Sequence, residues 1–147
     1  MARVQRSALL PYAAADVFAI VNDVPRYPEF LPWCSDATVL EASAEEVVAA
    51  LSLSASGITE TFTTRNRLTP FERIEMVLVS GPFRELSGGW TFTRLGEDAG
   101  CRVELDLSFR MSGMKSLLGA VFNKAADQMV DAFCARANDV LGDRQSG

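Results

Sequence analysis

The stretch from Met114 to Leu141 constrains this chain more than any other. It contains no proline and a single glycine, Gly119. Leu118, Phe122, Ala125, Met129, Phe133, Ala137 and Val140 recur at three- and four-residue steps, the pattern of one apolar helical face. Asn123, Lys124, Asp127, Gln128, Asp131 and Asn138 fall largely on the other side. A helix of this length spans roughly 42 Å and needs a broad apolar surface to lie on. A curved sheet supplies one, because almost everything before Met114 reads as strand. The helical face mixes bulky Phe122, Met129 and Phe133 with small Gly119, Ala125, Ala126, Ala132 and Ala137. Small residues against a concave sheet leave volume unfilled, and methionine adapts to variable shapes. Core packing accounts for most of these positions, and the composition also permits a ligand pocket.

The rest of the chain supplies that sheet. Arg3 to Leu10 reads as a first strand, and Ala13 to Asp23 as a short helix with Ala14, Val17, Phe18 and Val21 on one face. Pro25, Pro28 and Pro32 then allow only a short helical turn or a rigid irregular path. That segment carries Tyr27, Phe30, Leu31 and Trp33, which favour burial, so it is expected to fold over the core and close one mouth of a cavity. From Ser35 onward the period is two. Strands are expected at Thr38–Glu41, Val47–Ala55, Thr59–Leu68, Arg73–Ser80, Phe83–Leu95 and Cys101–Met111. The last has the cleanest alternation, with Cys101, Val103, Leu105, Leu107, Phe109 and Met111 on one face. One dry and one wet face imply an antiparallel meander. Seven such strands should curl around the final helix. Ser112 is a candidate N-cap for that helix, and 142–147 is expected to be a loose tail of a single domain spanning 1–147.

Composition excludes several function classes. With 147 residues, 48% of them hydrophobic, the chain suits one domain with a sizeable core. It has no histidine, so histidine-dependent nucleophile pairs, general bases and metal ligands are absent. No catalytic residue and no metal site is expected. Cys34, Cys101 and Cys134 lie far apart without a CxxC, which fits buried, reduced thiols. The net charge of −5 disfavours broad nonspecific binding to nucleic acid. A first strand starting at Arg3 leaves no room for a signal or transit peptide, and no apolar run reaches the roughly 20 residues of a membrane span. The expected location is the cytoplasm of a bacterium, with the periphery of the inner membrane as an alternative.

Three pieces carry a resemblance: Leu10-Pro-Tyr-Ala-Ala-Ala-Asp-Val-Phe-Ala-Ile-Val-Asn-Asp-Val, then Tyr27-Pro-Glu-Phe-Leu-Pro-Trp-Cys34, then Gly81-Pro-Phe-Arg-Glu-Leu with Gly89-Trp-Thr-Phe. The chain resembles the coenzyme Q-binding proteins of the START-like (polyketide cyclase/dehydrase, SRPBCC) superfamily, a family that also contains the bacterial ribosome association toxin. The resemblance spans nearly the whole chain. It implies an α+β helix-grip fold, with a seven-stranded antiparallel sheet around a long C-terminal helix, two short helices after the first strand and a hydrophobic tunnel. It further implies a bound ubiquinone or related polyisoprenoid in support of respiratory electron transport, with no cofactor required. Bacterial members are also described as binding the large ribosomal subunit and blocking subunit joining. Tyr27, Phe30, Leu31, Pro32 and Trp33 match the first motif, and Phe83 and Trp90 the second.

Three functional expectations follow. The leading one is a noncatalytic carrier of a long apolar lipid, with Leu105, Leu107, Phe109, Phe122 and Met129 as further wall candidates and Trp33 at the mouth, where it is also a candidate for transient membrane contact. The second is a ribosome-binding inhibitor of translation, for which Arg65, Arg67, Arg73 and Arg84 are the candidate basic patch, with Arg94 extending it. The third, a cyclase or dehydratase, has only Glu60, Asp106, Tyr12 and Tyr27 as acid–base groups and is the weakest.

Overall fold

The computed structural model describes residues 2–55, 57–97, 99–112 and 116–146. Strand β1 (Ala2–Leu10) leads into helix α1 (Ala14–Val21) and a 3-10 helix at Val24–Glu29. Six strands follow: β2 (Cys34–Ala42), β3 (Glu46–Ala55), β4 (Ile58–Thr69), β5 (Arg73–Ser80), β6 (Phe83–Leu95) and β7 (Gly100–Met111). Helix α2 (Ser116–Ser146) completes the chain. The sheet is curved and fully antiparallel in the order β1-β7-β6-β5-β4-β3-β2. The six later strands thus form the meander that alternation implies, and β1 closes it beside β7, pairing Val4 with Leu107 and Leu10 with Cys101.

Two boundaries differ from the sequence reading by more than two residues. Strand β2 is longer than Thr38–Glu41 because it lies at the sheet edge and carries register shifts at Cys34/Asp36 and Val39/Glu41. Each bulge breaks the alternation by which a strand is recognised. Helix α2 continues through Gly142 to Ser146 where a loose tail was expected. Buried Leu141 and the hydrogen bond from the Tyr12 hydroxyl to Asn138 Oδ1 (2.7 Å) anchor its final turns. The expected start of this helix at Met114 falls within 113–115, outside the described residues, and these separate the cap expected at Ser112 from the described start at Ser116.

Inner and outer faces follow strand parity. Strand β7 buries Cys101, Val103, Leu105, Leu107 and Phe109 and turns Arg102, Glu104, Asp106 and Ser108 outward. From α2, Phe122, Ala126, Val130, Phe133, Ala137 and Leu141 enter the same core. Polar ties hold the helix along its flank. Arg6 of β1 meets Asp127, and Arg136 reaches Glu29 at 3.3 Å while stacking 5.0 Å over the Phe30 ring. On the outer face Arg3 grips Asp106 with two hydrogen bonds, at 3.0 and 2.8 Å, which hold the Asp106 carboxyl below the usual carboxylate range. Both side chains are about half exposed, where such pairs contribute little. Asp106→Asn is therefore expected to leave the urea midpoint of unfolding unchanged within error.

Candidate functional site

The interior divides into two aromatic clusters. At one end Phe62, Phe83, Phe109 and Phe122 meet edge to face, with Phe122 4.7 Å from Phe109 and 4.8 Å from Phe83 between ring centroids. At the other end Phe133 receives Tyr27, Phe30 and Trp90 at 5.1–5.3 Å, and Trp90 stacks on Phe92. Edge-to-face contacts between such rings are favourable beyond the area they bury.

Between the clusters lies a cavity of about 50 Å³. Its floor is the inner face of β3, β4 and β5, through Ala49, Leu51, Phe62, Thr64, Asn66 and Met76. Trp90, Leu86 and Leu107 close one side, and Phe122 and Met129 form the roof. Val24, Tyr27 and Trp33, from the prolyl segment, form the remaining wall. Proline fixes this segment: Pro25 occupies the start of the 3-10 helix and Pro28 lies within it. The backbone N–H of Ser54 donates to the Trp33 carbonyl at 2.8 Å, tying the end of the segment to β3.

Of the residues singled out from sequence, Tyr27, Trp33, Trp90, Leu107, Phe122 and Met129 line the cavity. Leu31, Phe83, Leu105 and Phe109 are buried in the surrounding core, Phe30 meets Phe133 edge to face, and Pro32 is exposed. The arginines do not form one uncompensated patch. Arg65 pairs with Glu46 at 2.8 Å and Arg73 with Glu75 at 3.3 Å. Arg67 stands in register between Glu46 and Glu75 on the neighbouring strands. Arg84 lies on β6, at an irregular step in its pairing with β7.

The sequence reading missed Thr64 and Asn66, the polar residues of the cavity. Parity identifies them: on β4, Phe62, Thr64, Asn66 and Leu68 are all buried, so the two polar residues share the dry face. The Thr64 hydroxyl donates to Asn66 Oδ1 at 2.9 Å. Among the described residues, no Asp, Glu, Lys or Arg lines the cavity. Of the acid–base groups considered for catalysis, Asp106 lies on the outer face with Arg3, and Tyr12 donates to Asn138. The buried Cys34 and Cys101 thiols are pushed up to about 11 by burial, which keeps them protonated and unreactive near neutrality.

Tyr27 is the titratable group of the cavity wall. Its hydroxyl donates to the Val21 carbonyl, and burial raises its pKa well above the usual phenol range, reinforced by Cys34 and Asp23. The folded state thus keeps a proton that the unfolded chain loses near pH 10. Tyr27 contributes its full stability below that pH, and the contribution falls as pH rises further. Urea titrations from pH 8 to 11 should show stability declining above about pH 10. In Tyr27→Phe that component of the decline should vanish, and stability at neutral pH should drop by about 1–3 kcal/mol because the Val21 carbonyl loses its partner.

Residues 10–134 match the family described as polyketide cyclase/dehydrase and lipid transport. A ribosome association toxin of Pseudomonas aeruginosa is 52% identical over 141 residues, covering 95% of this chain and 97% of that one. A mitochondrial coenzyme Q-binding protein of Xenopus laevis is 26% identical over 141 residues, covering 92% of this chain and 58% of its own length. Among solved structures, a Streptomyces aromatase/cyclase superposes with a TM-score of 0.78 over 93% of both chains at 21% identity, a likeness of fold. These relatives are named as a toxin, a binding protein and a cyclase. The chain belongs to the polyketide cyclase/dehydrase and lipid-transport family, in the branch of START-like proteins that holds the ribosome association toxins and the coenzyme Q-binding proteins.

Proposed function

We propose that this protein acts without catalysis at the ribosome in the cytoplasm, binding the large subunit and hindering subunit joining. The observation that carries this reading is the 52% identity, over nearly the full length of both chains, to a protein named for ribosome association. Two features of the fold support it. The interior is almost filled, since a cavity of about 50 Å³ falls well below the roughly 300–1,000 Å³ of ordinary ligand pockets. The outer sheet face offers Arg65 and Arg73 in exchangeable surface ion pairs, with Arg67 in register between Glu46 and Glu75. Phosphates can replace carboxylates as partners there at little cost, because exposed pairs are weak. Overexpression should deplete joined ribosomes and enrich free subunits in sucrose gradients, and Arg67→Glu combined with Arg65→Glu should abolish the effect. Unchanged gradients on overexpressing the wild-type protein would overturn the proposal. No helix among the described residues is long and apolar enough to cross a membrane.

A second reading, a hydrophobic ligand such as ubiquinone or a related isoprenoid, is favoured by the apolar cavity and by the family's description as lipid transport. To admit even a head group, the flexible Met76 and Met129 and the half-buried Trp33 must shift. Organic extraction of the purified protein followed by mass spectrometry tests it. Absence of any isoprenoid, together with no binding of added quinone, would dismiss it.

A further inference from the structure

Among the described residues, Phe71 is the one non-glycine residue with a positive φ, at +68°. It takes the third place of the turn Thr69-Pro70-Phe71-Glu72, which the Glu72 N–H closes by donating to the Thr69 carbonyl at 3.0 Å. Proline in second place and a positive φ in third mark a type II turn, whose third place favours glycine or asparagine. A bulky aromatic residue there is strained. The ring recovers only part of that cost within the protein: it meets Phe18 edge to face, 5.8 Å between centroids, and stays 53% exposed. The turn does not need the ring for attachment either, because the Phe92 N–H ties it to β6 through the Glu72 carbonyl at 2.8 Å. Glycine or asparagine would close the same turn with less strain. Folding alone therefore does not account for a phenylalanine here.

Phe71 stands at the tip of the β4–β5 hairpin, just beyond the paired Thr69 and Arg73. It is thus continuous with the outer face that carries Arg65, Arg67 and Arg73. Pro70 and Glu72 beside it are exposed, and no ion pair among the described residues engages Glu72. The same chain shows what a neighbouring ring and carboxylate can hold. At Glu29-Phe30 the Arg136 guanidinium lies 5.0 Å over the Phe30 ring and meets Glu29 at 3.3 Å. A guanidinium both stacks on an aromatic face and pairs with a carboxylate. Phe71-Glu72 offers the same two groups, and no cation among the described residues lies over the Phe71 ring. An unpaired carboxylate at the tip also repels the phosphates of a nucleic acid.

We infer that Phe71 and Glu72 anchor an arginine side chain of a partner protein, the ring taking the guanidinium face and Glu72 its charge. The inference rests on the ribosome reading above and adds the kind of partner met at the hairpin tip: a protein of the large subunit, not its RNA. A strained, exposed aromatic at such a point concentrates binding energy in one side chain.

Co-sedimentation with purified large subunits of bacterial ribosomes tests it. The wild-type protein should pellet with the subunits. Phe71→Asn, which relieves the turn, should keep or raise the urea midpoint and yet bind about tenfold more weakly. Glu72→Lys, at an exposed position, should weaken binding about tenfold by setting like charges together. Phe71→p-benzoylphenylalanine, irradiated on the subunits, should cross-link to an arginine-bearing segment of a ribosomal protein. Failure of the wild type to pellet would overturn the ribosome reading and this inference with it. Pelleting by the wild type with unchanged affinity in Phe71→Asn would overturn the inference alone. So would cross-linking to RNA only or to nothing, or tighter binding by Glu72→Lys. If Phe71→Asn does not fold, Glu72→Lys and the cross-link decide.

Discussion

Gly88→Ala is expected to remove a large share of the protein's folding stability. Gly88 lies in the middle of β6, paired with Leu107 of β7, at φ +143°. That backbone region is essentially closed to residues with a side chain. The space is closed as well: a Cβ there would stand 2.1 Å from the Asp106 carbonyl oxygen and 2.8 Å from the Leu107 Cα. Both are backbone atoms of β7, so no side chain can swing away to make room. Relief requires parting β6 from β7, which between them carry Trp90, Phe92, Leu105 and Leu107. A loss of more than about 4 kcal/mol is expected, a large share of the roughly 5–15 kcal/mol that holds a domain folded. Gly57→Ala is the control. Gly57 has φ +78°, and a methyl group on its Cα would meet nothing within 4 Å, so this substitution should cost only the backbone strain of about 1–2 kcal/mol. Urea denaturation followed by circular dichroism reads both. A Gly88→Ala midpoint equal to that of wild type would mean that β6 and β7 do not pair in this register.

Phe122→Ala is the second large effect, at about 3–5 kcal/mol. Phe122 is 3% exposed, and its ring touches those of Phe62, Phe83 and Phe109. It is the point where α2 enters the aromatic cluster, and it also forms part of the cavity roof. Truncation removes apolar burial and joins new empty volume to an existing void, so the neighbours have little to collapse onto. The denaturation midpoint should fall without a change in m-value. Phe122→Leu, which keeps most of the volume, should cost much less. A loss below about 1 kcal/mol for Phe122→Ala would contradict the packing of α2 against this end of the sheet. The same substitution enlarges the cavity, so in calorimetry the surviving folded protein should accept larger apolar probes than the wild type.

Local pattern decided much of the architecture. Parity in Cys101–Met111 named the inner residues of β7 correctly because a side chain two positions along a strand must return to the same face. Three- and four-residue spacing placed Phe122, Ala125, Phe133 and Ala137 on the buried stripe of α2 for the same kind of reason, though the stripe also takes in Ala126, Val130 and Leu141, while Met129 and Val140 are only partly buried. Three prolines in eight residues made the segment around Tyr27 rigid whatever it packed against, and it does form one wall of the cavity. These properties depend on near neighbours in the chain, so the sequence alone carries them.

The remaining properties depend on groups far apart in sequence, and only the tertiary structure decided them. Arg65, Arg67 and Arg73 look like a basic patch along the chain, yet Glu46 arrives from β3 and Glu75 from β5 to balance them. Small residues on α2 permitted a ligand pocket and the resemblance implied a tunnel, yet Phe62, Trp90 and Leu107 reach in from three strands and leave about 50 Å³. Thr64 and Asn66 went unremarked within β4 until the sheet placed Asn66 beside Met76 and both on the cavity wall. A periodicity is a property of one segment, whereas a charge balance or a void is the sum of what several segments bring to one place.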